Sequence, residues 1–509
     1  MSIAFLYSMS VYCFFSSGQA VDFPTCLENE YLRVRWNDQG DLIEIEDKEK
    51  NIALRSPADV ALQGFSLVLQ DGDTRTEVSC NDQEKPKFIF KGNACRVVWR
   101  EPLRSSVGEV FRLSLEMRYE LLGDRLVITG KLSNKSSASV VEVRYSQIGG
   151  LTQLRALPDG EPATIGPPFD GKRLALPFET TVLGYPGHLS MGFLSVANER
   201  LGRGLYLGAY DQVARYKQWH FETVKGTSAE DIAVKLVFLP FVGSGATWSG
   251  CDWAVAFHDG DWVEAGQIYR EWFLETFGLR DAEKDWIRRE NCFQMVMMML
   301  PEGNINFRFR DVPELARQGM QYGIDSLQLA GWQLGGHDNG YPFYEPDPRL
   351  GTWDDVAWAI NECHKMGVRV YFFANLHWAM NDLRWFEREL HEYVSLNALG
   401  KTNWIGYWGM GTIASRMGYT PPTMSLLDVN FPGIADPTVT YFRKLAEVGA
   451  DGIHIDKLMP AALEYNPRVA ELGMSRDTAG LQGTINLMDR IIRECTAVKP
   501  DFALSCEAF

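Results

Sequence analysis

GIHIDKL, at residues 452–458, is the stretch whose reading decides the fold. Two isoleucines alternate with His454 and Asp456, so it reads as a short strand with that polar pair on one face. Segments of helical period flank it: PTVTYFRKLAEVGA at 437–450 and LQGTINLMDRIIRECTAV at 481–498. FALSCEAF, 502–509, then repeats the strand pattern. Toward the N-terminus the alternation continues. FQMVMMML (293–300) is an apolar strand, and VPELARQGMQYG (312–323) a helix ending at Gly323. SLQLAGW (326–332) is a strand, followed by a helix, TWDDVAWAINECHKMG (352–367), running from an N-cap Thr352 to Gly367. VRVYFFANLHW (368–378) is the third strand in chain order, followed by an insertion of about fifty residues.

Apolar strands alternating with helices predict a parallel sheet covered by helices. A TIM-type barrel is the leading expectation over 291–509. A doubly wound sheet is the rival, but the first strand–helix turn lacks a GxGxxG phosphate loop. Eight strands close a barrel and five are in the sequence, so this part reads as a truncated (β/α)8 barrel, first five strands only, cut after Phe509.

Upstream, the period changes to two. Phe111, Leu113, Leu115, Met117, Tyr119 and Leu121 alternate with mostly polar neighbours, Gly123-Asp124 turns the chain, and Leu126, Ile128 and Leu132 resume the pattern. Short strands with frequent turns predict an N-terminal antiparallel β-sandwich over 22–260. DWVEAGQIYREWFLETF (261–277) carries Trp262, Ala265, Tyr269, Trp272 and Phe273 on one stripe, a linker helix within 261–290 expected to pack against both parts.

Composition excludes some partners. The 509 residues carry a net charge of −16 without a basic run, which argues against nucleic acid as a ligand. Fifteen tryptophans fit either core packing or stacking on sugar rings. Residues 1–20 are apolar, uncharged and end in small residues, resembling a secretory signal peptide without a basic n-region; this predicts a secreted or periplasmic protein. No later stretch is apolar and long enough to span a membrane. The nine cysteines show no CxxC or zinc spacing; Cys80 and Cys95 are either a disulfide across a hairpin or buried thiols.

Barrel chemistry sits at the C-terminal strand ends. After the second strand, GWQLGGHDNGYPFYEPDPRLGTWDD (331–355) offers Trp332, His337, Asp338 and Tyr341 as sugar-binding candidates; an aromatic beside an aspartate provides stacking and hydroxyl acceptors. The alternative is a structured loop held by its own Asx turns. Asn375 and His377 alternate at the third strand end, either binding hydroxyls or serving structure. His454 and Asp456 point into the mouth, and Lys457, Lys365 or Arg443 are possible partners for Asp456. An ionised aspartate there is costly unless it works or is paired, and it is assigned as nucleophile. Glu507, flanked by Phe502, Leu504, Ala508 and Phe509, is expected to be held protonated by its apolar surroundings, as a general acid/base requires. Two carboxylates on adjacent strands can stand about 5–5.5 Å apart, the spacing of a retaining glycosidase.

These residues resemble the large retaining glycosidase superfamily that includes the α-amylase, family 36 α-galactosidase and family 31 α-glucosidase groups. GIHID resembles the strand-four signature ending in the nucleophile, here Asp456. LSCEAF resembles the α-amylase strand five, whose glutamate is the acid/base, here Glu507. LENEYLRVRWNDQGDLIEIEDK (27–48) resembles the start of the sandwich preceding the barrel in α-galactosidase-like enzymes, and GWQLGGHDNGYP resembles a bacterial glycosidase-like group, the domain of unknown function 6259 group. His454 stands where α-amylases place arginine, and family 36 carries lysine at that place and an aspartate as acid/base. The resemblance implies a glycoside hydrolase acting on an oligo- or polysaccharide with no cofactor. Two other readings stand beside it: a non-catalytic glycan-binding protein with a degenerate barrel, and a metal-dependent hydrolase using His337, Asp338, His377 and His454, which lack tight ligand spacing.

Overall fold

The computed structural model describes residues 25–508 apart from 155–163, 168–173, 176–179, 199–200, 279–284, 291, 403, 406–423 and 459. The leader-like segment, Phe509 and part of the insertion after the third strand lie outside the described residues.

Residues 25–259 form antiparallel sheets. A four-stranded meander (Thr25–Glu28, Leu32–Trp36, Leu42–Asp47, Ile52–Arg55) is followed by sheets of ten and six strands. In Leu113–Leu122 the odd-numbered side chains are buried and the even-numbered ones are not, so one face of the ten-stranded sheet is apolar. It meets the six-stranded sheet across one core, in which Met117 and Tyr119 are gathered with Val143, Tyr145, Leu236 and Phe238. Tyr145 packs edge-on against Trp253 of the facing sheet at 6.3 Å between ring centroids. The Gly123-Asp124 turn is present, with Leu122 opposite Arg125 and Gly123 at φ 60°. Cys80 and Cys95 are buried free thiols.

Helix α1 (Trp262–Phe277) starts from a capping box between Asp261 and Glu264. It buries Ala265 and Tyr269 against Phe193, Tyr206, Ala254 and Ala256 of the ten-stranded sheet. Phe273 and Phe277 instead line a cleft shared with Gln482 and Ile485 of the last helix.

The C-terminal part holds five parallel strands paired in sequence order: β1 (Phe293–Met297), β2 (Ser326–Ala330), β3 (Arg369–Asn375), β4 (Gly452–Leu458) and β5 (Ala503–Ala508). Helices α2 (Val312–Met320), α3 (Trp353–Lys365), α4 (Pro432–Glu447) and α5 (Ala479–Val498) cover one face. Val356, Ile360, Val439, Phe442, Leu487 and Ile491 pack there on Leu327, Leu329, Val370, Phe372, Ile453 and Ile455. The opposite face carries Met295, Gln328, Phe373, His454, Ser505 and Glu507 around a cavity of about 710 Å³. Among the described residues no helix is long and apolar enough to cross a membrane.

Two boundaries differ from the sequence reading. Helix α4 begins at Pro432, with Pro437 inside it, so the proline does not mark its start. Strand β3 stops at Asn375, and Trp378–Met380 joins a separate antiparallel sheet with Trp404–Ile405 and Met424–Leu426.

Candidate active site

The site is built at the C-terminal ends of β3, β4 and β5. Parallel pairing puts Asn375 opposite Asp456. On β5, the register is regular up to Ile455–Cys506 and then shifts before Leu458–Ala508, so Glu507 lies at an irregular step beside Asp456 and Lys457.

The carboxyls of Asp456 and Glu507 are neighbours, and each shifts the ionisation of the other. Their environments differ. Asp456 is 5% exposed, whereas Glu507 is exposed and lines the cavity. The neighbouring Asp456 carboxylate pushes the Glu507 carboxyl up to about 7, with burial adding to the effect and Lys457 opposing it. The expected direction is found, but its main cause is the neighbouring acid and not the apolar flank. Burial works against ionisation of Asp456, yet the neighbouring Glu507 carboxyl and the charge and hydrogen bond of Lys457 hold its carboxyl below the usual aspartate value.

Lys457 is the cation of the site. Its Nζ donates to Asp456 and, at 2.8 Å, to Asp338 Oδ1. Burial disfavours its charge, but Asp338 and Asp456 raise its pKa above the ordinary lysine value. Lys457 and Asp338 have φ 50° and φ 54°, left-handed conformations that side chains of this kind adopt infrequently. The other partners considered for Asp456 are engaged elsewhere: Lys365 with Glu362, and Arg443 with Glu447 and Glu494.

The loop after β2 divides its candidates. Asp338 comes to Lys457, while His337 is half-buried with its ring 5.0 Å from Phe373. Burial lowers the His337 pKa. Trp332 does not line the site. Gly331, at φ 67°, turns the chain, and Trp332 is fully buried, donating from Nε1 to the Phe373 carbonyl at 2.9 Å and packing on Phe372. Tyr341 is also fully buried, so it offers no stacking face; its hydroxyl reaches Asp338 Oδ1 at 3.5 Å.

The histidines separate as well. Asn375 Oδ1 accepts from the His377 and Trp378 amides, an Asx turn that ends the strand's alternation. His377 is thereby directed to α5, with Nε2 3.4 Å from Thr484 Oγ1, and is buried; burial lowers its pKa to about 3. It does not share a face with Asn375. His454 faces the cavity and pairs through Nδ1 with Ser505 Oγ at 2.9 Å.

Sequence reasoning missed Gln328 and Ser505, which share the cavity wall with His454; the period-two rule applied to β2 and β5 would have found them. Around the carboxyl pair, His337 Nδ1, Asp338 Oδ2 and Asn375 Nδ2 are buried without a hydrogen-bond partner among the described residues. Among those residues, no group of three or more His, Cys, Asp and Glu side chains is gathered as for a metal.

A family model described as "Domain of unknown function (DUF6259)" matches residues 249–466. No curated protein matches the chain in sequence. Among solved structures, the chain is similar to the α-N-acetylgalactosaminidase NagBb of Bifidobacterium bifidum in its GalNAc complex, at 13% identity and a TM-score of 0.66, covering 95% of this chain and 76% of that one. It is also similar to the GH36 α-galactosidase AgaA of Geobacillus stearothermophilus, at 12% identity and a TM-score of 0.55, covering 95% and 72%. At these identities the likeness is one of fold.

Proposed function

We propose that this protein is a retaining glycosidase acting on O-glycosidic bonds of an oligo- or polysaccharide, with Asp456 as nucleophile and Glu507 as acid/base. The observation that carries this reading is the carboxyl pair at the ends of the adjacent strands β4 and β5, with one member held below its usual pKa and the other raised to about 7. In this reading the five parallel strands are the first five of an eight-stranded barrel, and the pair stands at its catalytic rim.

Each residue has a distinct part in the chemistry. Protonated Glu507 gives its proton to the glycosidic oxygen as an Asp456 oxygen attacks the anomeric carbon. The bond to the leaving group breaks and a glycosyl ester forms on Asp456. Ionised Glu507 then takes a proton from water, whose oxygen attacks the same carbon and releases the sugar and the Asp456 carboxylate. Retaining enzymes hold these groups about 5–5.5 Å apart, with the anomeric carbon between them. A buried polar atom without a partner costs about 1–3 kcal/mol, and sugar hydroxyls would partner His337 Nδ1, Asp338 Oδ2 and Asn375 Nδ2.

The similar structures are those of an α-N-acetylgalactosaminidase and an α-galactosidase, which makes nitrophenyl α-galactoside and α-N-acetylgalactosaminide the first substrates to assay. The test is hydrolysis of a nitrophenyl glycoside panel, with proton NMR of the first-formed anomer. Retained configuration is expected; an inverted first product removes the assigned nucleophilic role of Asp456.

A further inference from the structure

A second cleft, of about 750 Å³, opens between the six-stranded antiparallel sheet and the loops that follow β3 and β4. Among the described residues its walls contain two arginines, Arg75 and Arg476, and no aspartate or glutamate, in a chain whose net charge is −16. Arg75 stands opposite Gln70 near the tip of the hairpin Phe65–Asp71 and Thr74–Ser79. The Arg476 guanidinium lies 5.0 Å from the ring centroids of both Phe241 and Tyr465, which meet each other edge-on at 5.6 Å. Among the described residues neither arginine has a carboxylate within ion-pair distance.

The arrangement is a built one. Phe241 holds φ 51°, a strained conformation for a bulky residue, and its ring contributes to the Arg476 support. The Tyr465 amide donates to the Leu396 carbonyl at 3.1 Å, and the Glu464 amide donates to the Arg476 carbonyl at 2.9 Å, which ties the two loops together. Glu464 is buried, and its carboxylate accepts from the Leu396 and Asn466 amides. Arg75 and Arg476 line the same cleft as Tyr465. Rings that support a guanidinium through its face leave the N–H edges for a planar or tetrahedral anion, the geometry in which arginine forks two oxygens.

We propose that this cleft binds an anionic glycan segment, with Arg476 and Arg75 gripping a carboxylate or sulfate ester. The loops that form it follow the strands that carry Asn375 and Asp456. The assignment of a glycan, as distinct from a simple anion, rests on the glycosidase reading.

Isothermal titration of the 509-residue chain tests it with trigalacturonate, a chondroitin-sulfate oligosaccharide, neutral galactotriose and inorganic sulfate. An anionic oligosaccharide is expected to bind at least about tenfold tighter than the neutral one, with affinity falling as salt rises. Preference for the uronate assigns a carboxylate ligand, and preference for the chondroitin oligosaccharide a sulfate ester. Arg476→Ala and Arg75→Ala should each weaken binding about tenfold with the melting temperature unchanged, and Arg476→Lys should fall between, because it keeps the charge and loses the fork. Equal binding of the neutral sugar, equal binding of inorganic sulfate, or unchanged affinity in both alanine variants overturns the proposal. Nitrophenyl glycoside turnover is followed in parallel. Anionic glycan binding without any turnover keeps the cleft and removes the glycosidase reading, whereas turnover without such binding does the reverse.

Discussion

Lys457 bridges Asp338 and Asp456, its Nζ lying 2.8 Å from Asp338 Oδ1 while it donates to the Asp456 carboxylate. One ammonium thus serves two buried acids, one on β4 and one in the loop after β2, and together with Glu507 it holds the Asp456 carboxyl below its usual value against burial. Lys457→Met keeps the stem and removes the charge. It should cost about 3–5 kcal/mol in urea unfolding at neutral pH, the usual effect of breaking a buried pair. It should also move the acid limb of the pH–rate profile upward. An unchanged acid limb in a folded variant would mean that Lys457 does not set the Asp456 charge.

Glu507, held up to about 7 by Asp456, should give the pH–rate profile its alkaline limb. The working form has Glu507 protonated and Asp456 ionised, so kcat/KM should fall above about pH 7 and, on the acid side, below the lowered Asp456 value. Asp456→Asn removes the neighbouring charge, and the Glu507 carboxyl, followed by carbon-13 NMR, should then titrate closer to an ordinary glutamate. A raised pKa, by linkage, stabilises the fold most below the unfolded value and loses that contribution as pH rises toward about 7. Glu507→Gln should lack that decline.

Asp451 anchors the opposite ends of the strands. It is fully buried and accepts from the Val370 amide, His364 Nε2 and Arg369, each at 2.7 Å, with Lys499 at 3.1 Å. Burial raises its pKa, but these partners outweigh it and hold the carboxyl at about 2. Its stabilising contribution is therefore present above the unfolded value of about 3.9 and is lost as pH falls toward about 2. Asp451→Ala should cost about 3–5 kcal/mol at pH 7 by urea unfolding, with a difference from wild type that narrows in acid.

Trp332→Phe separates packing from sugar binding. The indole is fully buried and donates to the Phe373 carbonyl, so the variant should lose about 1–3 kcal/mol of stability and leave KM unchanged. A many-fold rise in KM with stability intact would return Trp332 to the binding surface.

Much of the parallel sheet was legible because its strands are short apolar runs between helices of clear period. Asp456 stood out because polar residues at such strand ends are costly to place. Relations fixed by backbone conformation were hidden. Gly331 at φ 67° sends Trp332 inward, and the Asn375 Asx turn sends His377 to Thr484; neither follows from spacing. The link from Lys457 to Asp338 spans 119 positions and depends on two left-handed residues. For Glu507, adjacent side chains suggested the right direction, yet the dominant influence comes from the next strand.

The central claim is tested most directly by Asp456→Ala assayed with a nitrophenyl glycoside the wild type turns over, with and without sodium azide. Turnover should fall by roughly 10⁴-fold, and azide, entering the space left by the carboxylate, should restore part of it and yield a glycosyl azide of inverted anomeric configuration. Near-wild-type turnover in the folded variant would contradict the account.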